Sequence, residues 1–325
     1  MPPALSYPAL RCISENLEAV KRMHIACRSP SFGRIDKSIP INMNSVIVDC
    51  QSVTFNNLTV EFYYNDQLLF RYQNDRQKTV MQRIPETMTP FKSIDRFFDY
   101  FLKGRKIINV DFLTARYIPG YLIPPVFRIN QLETILASFT DYLPIVDSCS
   151  FPLKRLSTPI DEVEIFTHPV FCSAKSLRFT VFENEVIGLN DINKLICKNV
   201  EFGSNSLLKM DIVELIRYWE KNGKEIGTRY IFSQDYDGHI EDEISGLKTK
   251  FDGFIDDLEG INERFLPSSP RFSIPINSKS RICLYGIETD SIDRSQLIIS
   301  VMPTNSGKET SALITDYSSC NTSDL

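Results

Sequence analysis

Residues 93–113, Ser93-Ile-Asp-Arg-Phe-Phe-Asp-Tyr-Phe-Leu-Lys-Gly-Arg-Lys-Ile-Ile-Asn-Val-Asp-Phe-Leu113, set the fold class of this chain. Ile94, Phe97, Phe98 and Phe101 stand at i, i+3, i+4 and i+7, the stripe of an amphipathic helix over residues 93–103. Gly104 follows where a left-handed cap is expected. Residues 106–113, KIINVDFL, then read as a strand. A helix, a glycine and a strand make an αβ unit, and the order recurs at residues 211–232, DIVELIRYWEKNGKEIGTRYIF. There Ile212, Leu215, Ile216 and Trp219 share one face. Asp211 with Glu214 three residues on forms a capping box, and Asn222-Gly223 ends the helix.

Between the two units lie further strand candidates at residues 126–129, 153–156, 177–182 and 195–202, joined by short helices or turns such as 139–146. The intervals run from about 18 to 33 residues and straddle the range of leucine-rich-type repeats. No strict consensus recurs, so an irregular, leucine-rich-like α/β stack and a non-repetitive α/β domain both remain open. Upstream, residues 41–83 are rich in β-branched and aromatic residues, with strands at 46–48, 53–55, 58–64 and 68–72 separated by turn residues. They read as a small meander. Downstream of Ser233 the pattern weakens into an acidic stretch. Residues 272–276, 281–285 and 296–301 then read as closing strands. The expected class is mixed α/β, with an N-terminal helical module (1–40), a β-meander (41–85), an α/β repeat-like region (86–303) and a disordered tail (304–325), which is rich in Ser, Thr and Asn.

The N-terminal segment is a helical pair. Leu10, Ile13 and Leu17 form one stripe, with Leu5 ahead of it and Pro8 suited to a first turn. A second stretch runs from Val20 through Ile25 to Cys27, and Ser29-Pro30 closes it. Arg11, Lys21, Arg22, Arg28, Arg34 and Lys37 outnumber Glu15, Glu18 and Asp36 here, as on a solvated helix face.

Composition narrows the function. Hydrophobic content of 42% and charged content of 24% are ordinary for a globular protein, and a net charge of −5 argues against a general nucleic-acid or anionic-membrane binder. The longest apolar runs, such as 297–302, are too short to span a bilayer. MPPALSYP has no signal-peptide pattern, so a cytoplasmic or nuclear location is expected. The eight cysteines are scattered and read as reduced, mostly buried thiols.

Chemistry is sparse. Gly238 aligned with the sixth position of an EF-hand loop places Asp235 and Asp237 as ligands, but Ser233 and Ile244 stand at positions one and twelve. The site then lacks its clamp, and an exposed acidic turn is the better account. His24, Cys27 and Cys12 are too few for zinc. His168 precedes Pro169 in an expected loop and His239 sits in the acidic turn, where lone histidines are more often structural or solvent-exposed than catalytic, and no nucleophile elbow, phosphate loop or H-E-x-x-H helix is present. No catalytic residue, metal or cofactor is assigned.

The segment LSYPALRCISENLEAVKRMHIACRSPSF (residues 5–32) resembles the start of an F-box, with Leu5-Ser6 where that motif commonly opens on Leu-Pro. Together with SVTFNNLTVEFYYNDQLLF, SIDRFFDYFLKGRKIINV and DIVELIRYWEKNGKEIGTRYIF, it makes the chain resemble a nematode-expanded family of F-box-like proteins with an uncharacterised F-box-associated region, over most of residues 5–232. The resemblance implies that Leu5, Leu10, Ile13 and Leu17 dock on the Skp-type adaptor of a cullin-based ubiquitin ligase. Pro8 would shape the helix entry, and the remainder would present a surface to a protein substrate. The competing expectation is an interaction scaffold whose N-terminal helices pack on its own core, burying Leu10, Ile13 and Leu17 against residues 40–110. An enzyme would need a deep pocket with two convergent titratable groups.

Overall fold

The computed structural model describes residues 7–304, apart from 64–66, 73–77, 84–89, 117–125, 161–162, 181–187, 194, 204–209, 235–237, 252–253, 256–257, 259–260 and 290–294. Leu5 and the expected tail lie outside the described residues. The chain is mixed α/β and divides into two compact units, residues 1–159 and 160–325.

Unit 1 begins with α1 (Tyr7–Asn16), α2 (Ala19–Arg28) and α3 (Pro30–Lys37), one helix more than the expected pair. Ser29 both ends α2 and caps α3, accepting from the Phe32 N–H, with Pro30 at the first helical position. The same dipeptide therefore closes one helix and opens the next. Strands β1 (Ile41–Val48), β2 (Ser52–Phe55), β3 (Leu58–Tyr63), β4 (Gln67–Tyr72) and β5 (Lys78–Arg83) follow, then α4 (Pro90–Phe101), β6 (Ile108–Ala115), β7 (Arg128–Thr134) and β8 (Arg155–Pro159). The sheet order is β8-β7-β6-β1-β2-β3-β4-β5. β1, β6, β7 and β8 run parallel, and β1 to β5 form the antiparallel meander. β1 is thus both the first meander strand and a rung of the parallel stack. Gly104, at φ +82°, follows α4 as its cap position requires.

Unit 2 contains α5 (Pro169–Ser173), β9 (Ser176–Thr180), α6 (Leu189–Asn193), β10 (Asn199–Phe202), α7 (Ile212–Asn222), β11 (Arg229–Gln234), α8 (Gly238–Phe251) and β12 to β15 (Phe254–Ile255, Phe272–Pro275, Ser280–Glu288 and Ser295–Pro303). β9, β10 and β11 are parallel, and β15, β14, β13 and β12 continue antiparallel from β11. Asp211 caps α7 by accepting from Glu214 N–H at 2.9 Å, and Gly223 (φ +78°) terminates it. From Gly238 on, the acidic stretch is α8. Ile240, Ile244 and Leu247 are fully enclosed at i, i+4 and i+7, so the residue standing where a calcium clamp was sought is a core side chain.

The parallel strands share one burial rhythm. Met43, Val46 and Val48 on β1 are buried at spacings of three and two. So are Val110, Leu113 and Ala115; Ile129, Leu132 and Thr134; and Leu153, Leu156 and Thr158. In unit 2, Ala174, Leu177 and Phe179, then Cys197, Val200 and Phe202, repeat it. This is the L-x-x-L-x-L spacing of a leucine-rich-like strand carried by varied residues. In-register residues form ladders: Val46, Leu113, Leu132 and Leu156 in unit 1, and Phe179, Phe202 and Phe232 in unit 2. The Phe202 and Phe232 rings stack at 4.8 Å.

Candidate interaction surfaces

The N-terminal helices differ sharply in how they are held. α2 and α3 bury Ala19, Val20, Met23 and Phe32. Between them Asp36, with no solvent exposure, accepts from Arg22 Nε at 2.7 Å and pairs with Arg105 from the turn after α4. Arg22, expected on a solvated face, is 2% exposed. Two guanidiniums against one carboxylate leave a positive charge over, and backbone carbonyls, two of them at the C-terminal ends of α3 and α4, take up further N–H groups. Arg22 donates to Pro40 O (2.8 Å), and Arg105 donates to Asp36 O and Phe101 O (both 2.9 Å). Burial pulls the Arg105 guanidinium below its ordinary pKa, against the opposing effect of Asp36. This triad ties α2 and α3 to the α4–β6 turn.

α1 has no such anchor. Ser14 is its one buried residue, and its hydroxyl donates back to Leu10 O at 2.8 Å. Pro8 lies exposed in the first turn, Leu10 and Leu17 are half-buried, and Ile13 and Tyr7 are 47% and 53% exposed. Ile13, in the middle of the stripe, is therefore not closed over by residues 40–110. At the α1–α2 joint Glu18 caps α2, accepting from Val20 N–H and Lys21 N–H at 3.0 Å, and also accepts from Asn56 Nδ2 at 2.8 Å. Asn56, in the left-handed region (φ +50°), takes the backbone N–H groups of Asn44 and Ser45 on its Oδ1.

Asn44 belongs to the open face of unit 1's parallel sheet. Opposite the buried ladder, Asn42, Asn44, Asn109, Asp111, Arg128 and Asn130 line a shallow depression of about 310 Å³. Asn109 Nδ2 donates to Asn42 Oδ1, and Asn130 Nδ2 donates to Asp111 Oδ1, each at 2.7 Å. Arg128 reaches Asp147 Oδ2 only at 3.5 Å, and its Nε is enclosed without a hydrogen-bond partner. Sequence reasoning missed this surface. Its available signal was the run of asparagines within strands that disfavour them.

In unit 2 the corresponding side of the sheet is covered from β11 onward. Leu258, Ile261 and Phe265 cover Ile231, Cys283, Tyr285 and Ile298. Glu263, in the same covering run, pairs with Arg229 on β11. Leu266 N–H donates to Gly286 O at 3.0 Å, and Glu288 N–H donates to Arg264 O at 2.9 Å, so the run is stitched along β14. Burial drives the Tyr285 hydroxyl well above its ordinary pKa.

The remaining sequence candidates find no shared site. Cys12, His24 and Cys27 are exposed, and no group of three metal-ligating side chains occurs among the described residues. His168 caps α5, its Nδ1 accepting from Val170 N–H at 3.3 Å. Asp235, Asp237 and the His239 side chain lie outside the described residues. No helix among the described residues is long and apolar enough to cross a membrane.

Residues 89–235, from α4 through β11, match a family described as a domain of unknown function, DUF3557. No curated protein and no solved structure matches the chain.

Proposed function

We propose that this protein is a non-enzymatic substrate-recognition subunit of a cullin-based ubiquitin ligase, working in the cytoplasm or nucleus. In this reading the N-terminal segment docks on a Skp-type adaptor through Leu5, Leu10, Ile13 and Leu17, with Pro8 shaping the entry to α1, and the sheet scaffold holds a protein substrate. The observation that carries it is the contrast within the first forty residues. α2 and α3 are locked into unit 1, while α1 leaves Ile13 and Tyr7 in solvent. A short helix with an unclosed apolar stripe on a rigid base suits helix-mediated docking.

Ile13→Asp tests it cleanly, because a half-exposed position tolerates charge with a stability change within about 0.5 kcal/mol. Co-purification of the intact protein with a Skp-type adaptor is expected, and Ile13→Asp should abolish it without moving the Tm. No adaptor binding by the intact protein removes the ligase assignment. A second reading, an interaction scaffold without a ligase role, draws on the packing of α2 and α3 in unit 1's own core. It is the outcome if the adaptor stays unbound.

A further inference from the structure

We infer that the break between α1 and α2 is a hinge held from outside, and that without its tie to Asn56 residues 7–28 run on as one helix. The first ground is that the sequence supplies no breaker. From Ala9 to Ser29 the chain holds neither glycine nor proline. Leu17 and Glu18, which form the break, and Ala19, which opens α2, are strong helix formers. Sharp bends in helices trace to proline, glycine or inserted groups, so this one needs a cause beyond the run itself. Local help comes from Asn16, whose Nδ2 donates to Cys12 O at 2.9 Å, and from Leu17 N–H, which reaches Ser14 O at 3.4 Å. The apolar pattern also ignores the break. Wound as one helix, Leu10, Ile13, Leu17, Val20, Met23 and Cys27 fall within about 140° of arc.

The second ground is the cap. Favoured caps are Ser, Thr, Asp and Asn, whose short side chains reach the first N–H groups of the helix they open. Glu18, extended at φ −53° and ψ 141°, does this with a longer side chain, accepting from Val20 N–H and Lys21 N–H. A longer side chain has more rotamers to lose, so the cap needs a hold. Asn56 supplies it, its Nδ2 donating to Glu18 Oε1 at 2.8 Å. Asn56 is fixed in turn, because its Oδ1 accepts from Asn44 N–H at 2.8 Å and Ser45 N–H at 3.2 Å. The joint is thus fastened to β1 through one relay of side chains.

Ala19, Val20 and Met23 keep α2 in the core, so release of the tie moves α1. In the broken form Leu10 and Leu17 are half-buried. In the joined form the helix continues past the start of α2 and frees both, and the Glu18 and Ala19 amides gain Ser14 O and Glu15 O as acceptors. The tie therefore governs how much of the α1 stripe is presented. Only the use of that stripe rests on the reading above, and the hinge stands with or without an adaptor.

Hydrogen–deuterium exchange of the intact protein, read by mass spectrometry over residues 15–22, tests it. Asn56→Asp keeps a residue suited to the left-handed turn and an acceptor for Asn44 and Ser45, but sets a second carboxylate against Glu18. Glu18→Ala removes the cap outright and leaves the turn untouched. Both should slow exchange over residues 15–22 by at least about threefold, because the joined helix protects amides that the break exposes. A tie with a structural role alone gives the opposite sign, faster exchange from a frayed joint. Ala19→Pro locks the break, since proline suits the first position of α2 and the residue before it is already extended, yet no helix can pass through it unbent. Added to Glu18→Ala, it should abolish the slowing. Unchanged or faster exchange in both single variants would overturn the proposal, and so would slowing that survives Ala19→Pro. Adaptor binding does not enter this readout, so loss of the ligase assignment and loss of the hinge are separate results.

Discussion

Unit 1 and unit 2 build parallel strands on the same buried spacing and differ in how far the opposite side of their sheets is covered. In unit 1 that side is carboxamide-rich and bare. In unit 2 it is polar on β9 and β10, where Arg178 pairs with Glu201, and apolar across β11, β15 and β14, where the run around Ile261 to Leu266 packs against it. The buried sides differ as well, with an aliphatic ladder in unit 1 and an aromatic one in unit 2. The lesson is that the three-and-two spacing dictates the strand and its inward side chains. The outward side chains are left free to take up either a partner or the chain itself.

The comparison breaks most severely at the buried triad, which has no counterpart among the described ion pairs of unit 2. Asp36→Ala strands Arg22 and Arg105 in the interior and should cost about 3–5 kcal/mol, read by urea unfolding. Limited proteolysis should then cut within residues 1–159 first. Next come the ladders. Phe202→Ala removes the ring between Phe179 and Phe232 and should cost about 3–5 kcal/mol, whereas Leu132→Ala in unit 1 should fall within about 2–5. Equal losses would mean that ring stacking adds nothing to burial in unit 2. The smallest effect belongs to the cover. Glu263→Gln should cost about 1–3 kcal/mol, toward the low end because the Arg229 side chain keeps 27% exposure. Hydrogen exchange at the Leu266 amide should accelerate before that of β14. An unchanged rate would show that the cover is held by its apolar contacts alone.

Much of this architecture is legible in the amino-acid order, and the gaps have physical causes. The αβ units at α4–β6 and α7–β11 announce themselves because a helix stripe, a glycine and a β-rich run coincide. The repeat is harder to read because its inward positions accept any side chain that can be buried. Thr134 and Thr158 occupy them by hydrogen-bonding to each other at 3.0 Å, so a search for leucines passes over those rungs. α8 was obscured by its charges, which lie on the solvent side of Ile240, Ile244 and Leu247. Arg22 looked like surface because nothing in its neighbourhood indicates that Arg105 will share its carboxylate, sixty-nine positions from Asp36. The exposure of Ile13 is likewise a tertiary fact. Periodicity marks an apolar stripe but says nothing about what covers it.

The Arg22–Asp36–Arg105 triad also bears on how this protein can be taken apart. A helical module that merely preceded a scaffold could be cut off or exchanged between proteins like a cassette. Here the module's buried carboxylate is also the counter-charge of a residue downstream of five strands and a helix. A fragment beginning at β1 would leave Arg105 with no counter-charge, and a transplanted N-terminus would bring Arg22 and Asp36 without their third member. α2, α3 and the α4–β6 turn are therefore one unit of inheritance and of engineering, and α1 alone is the part that can be exchanged.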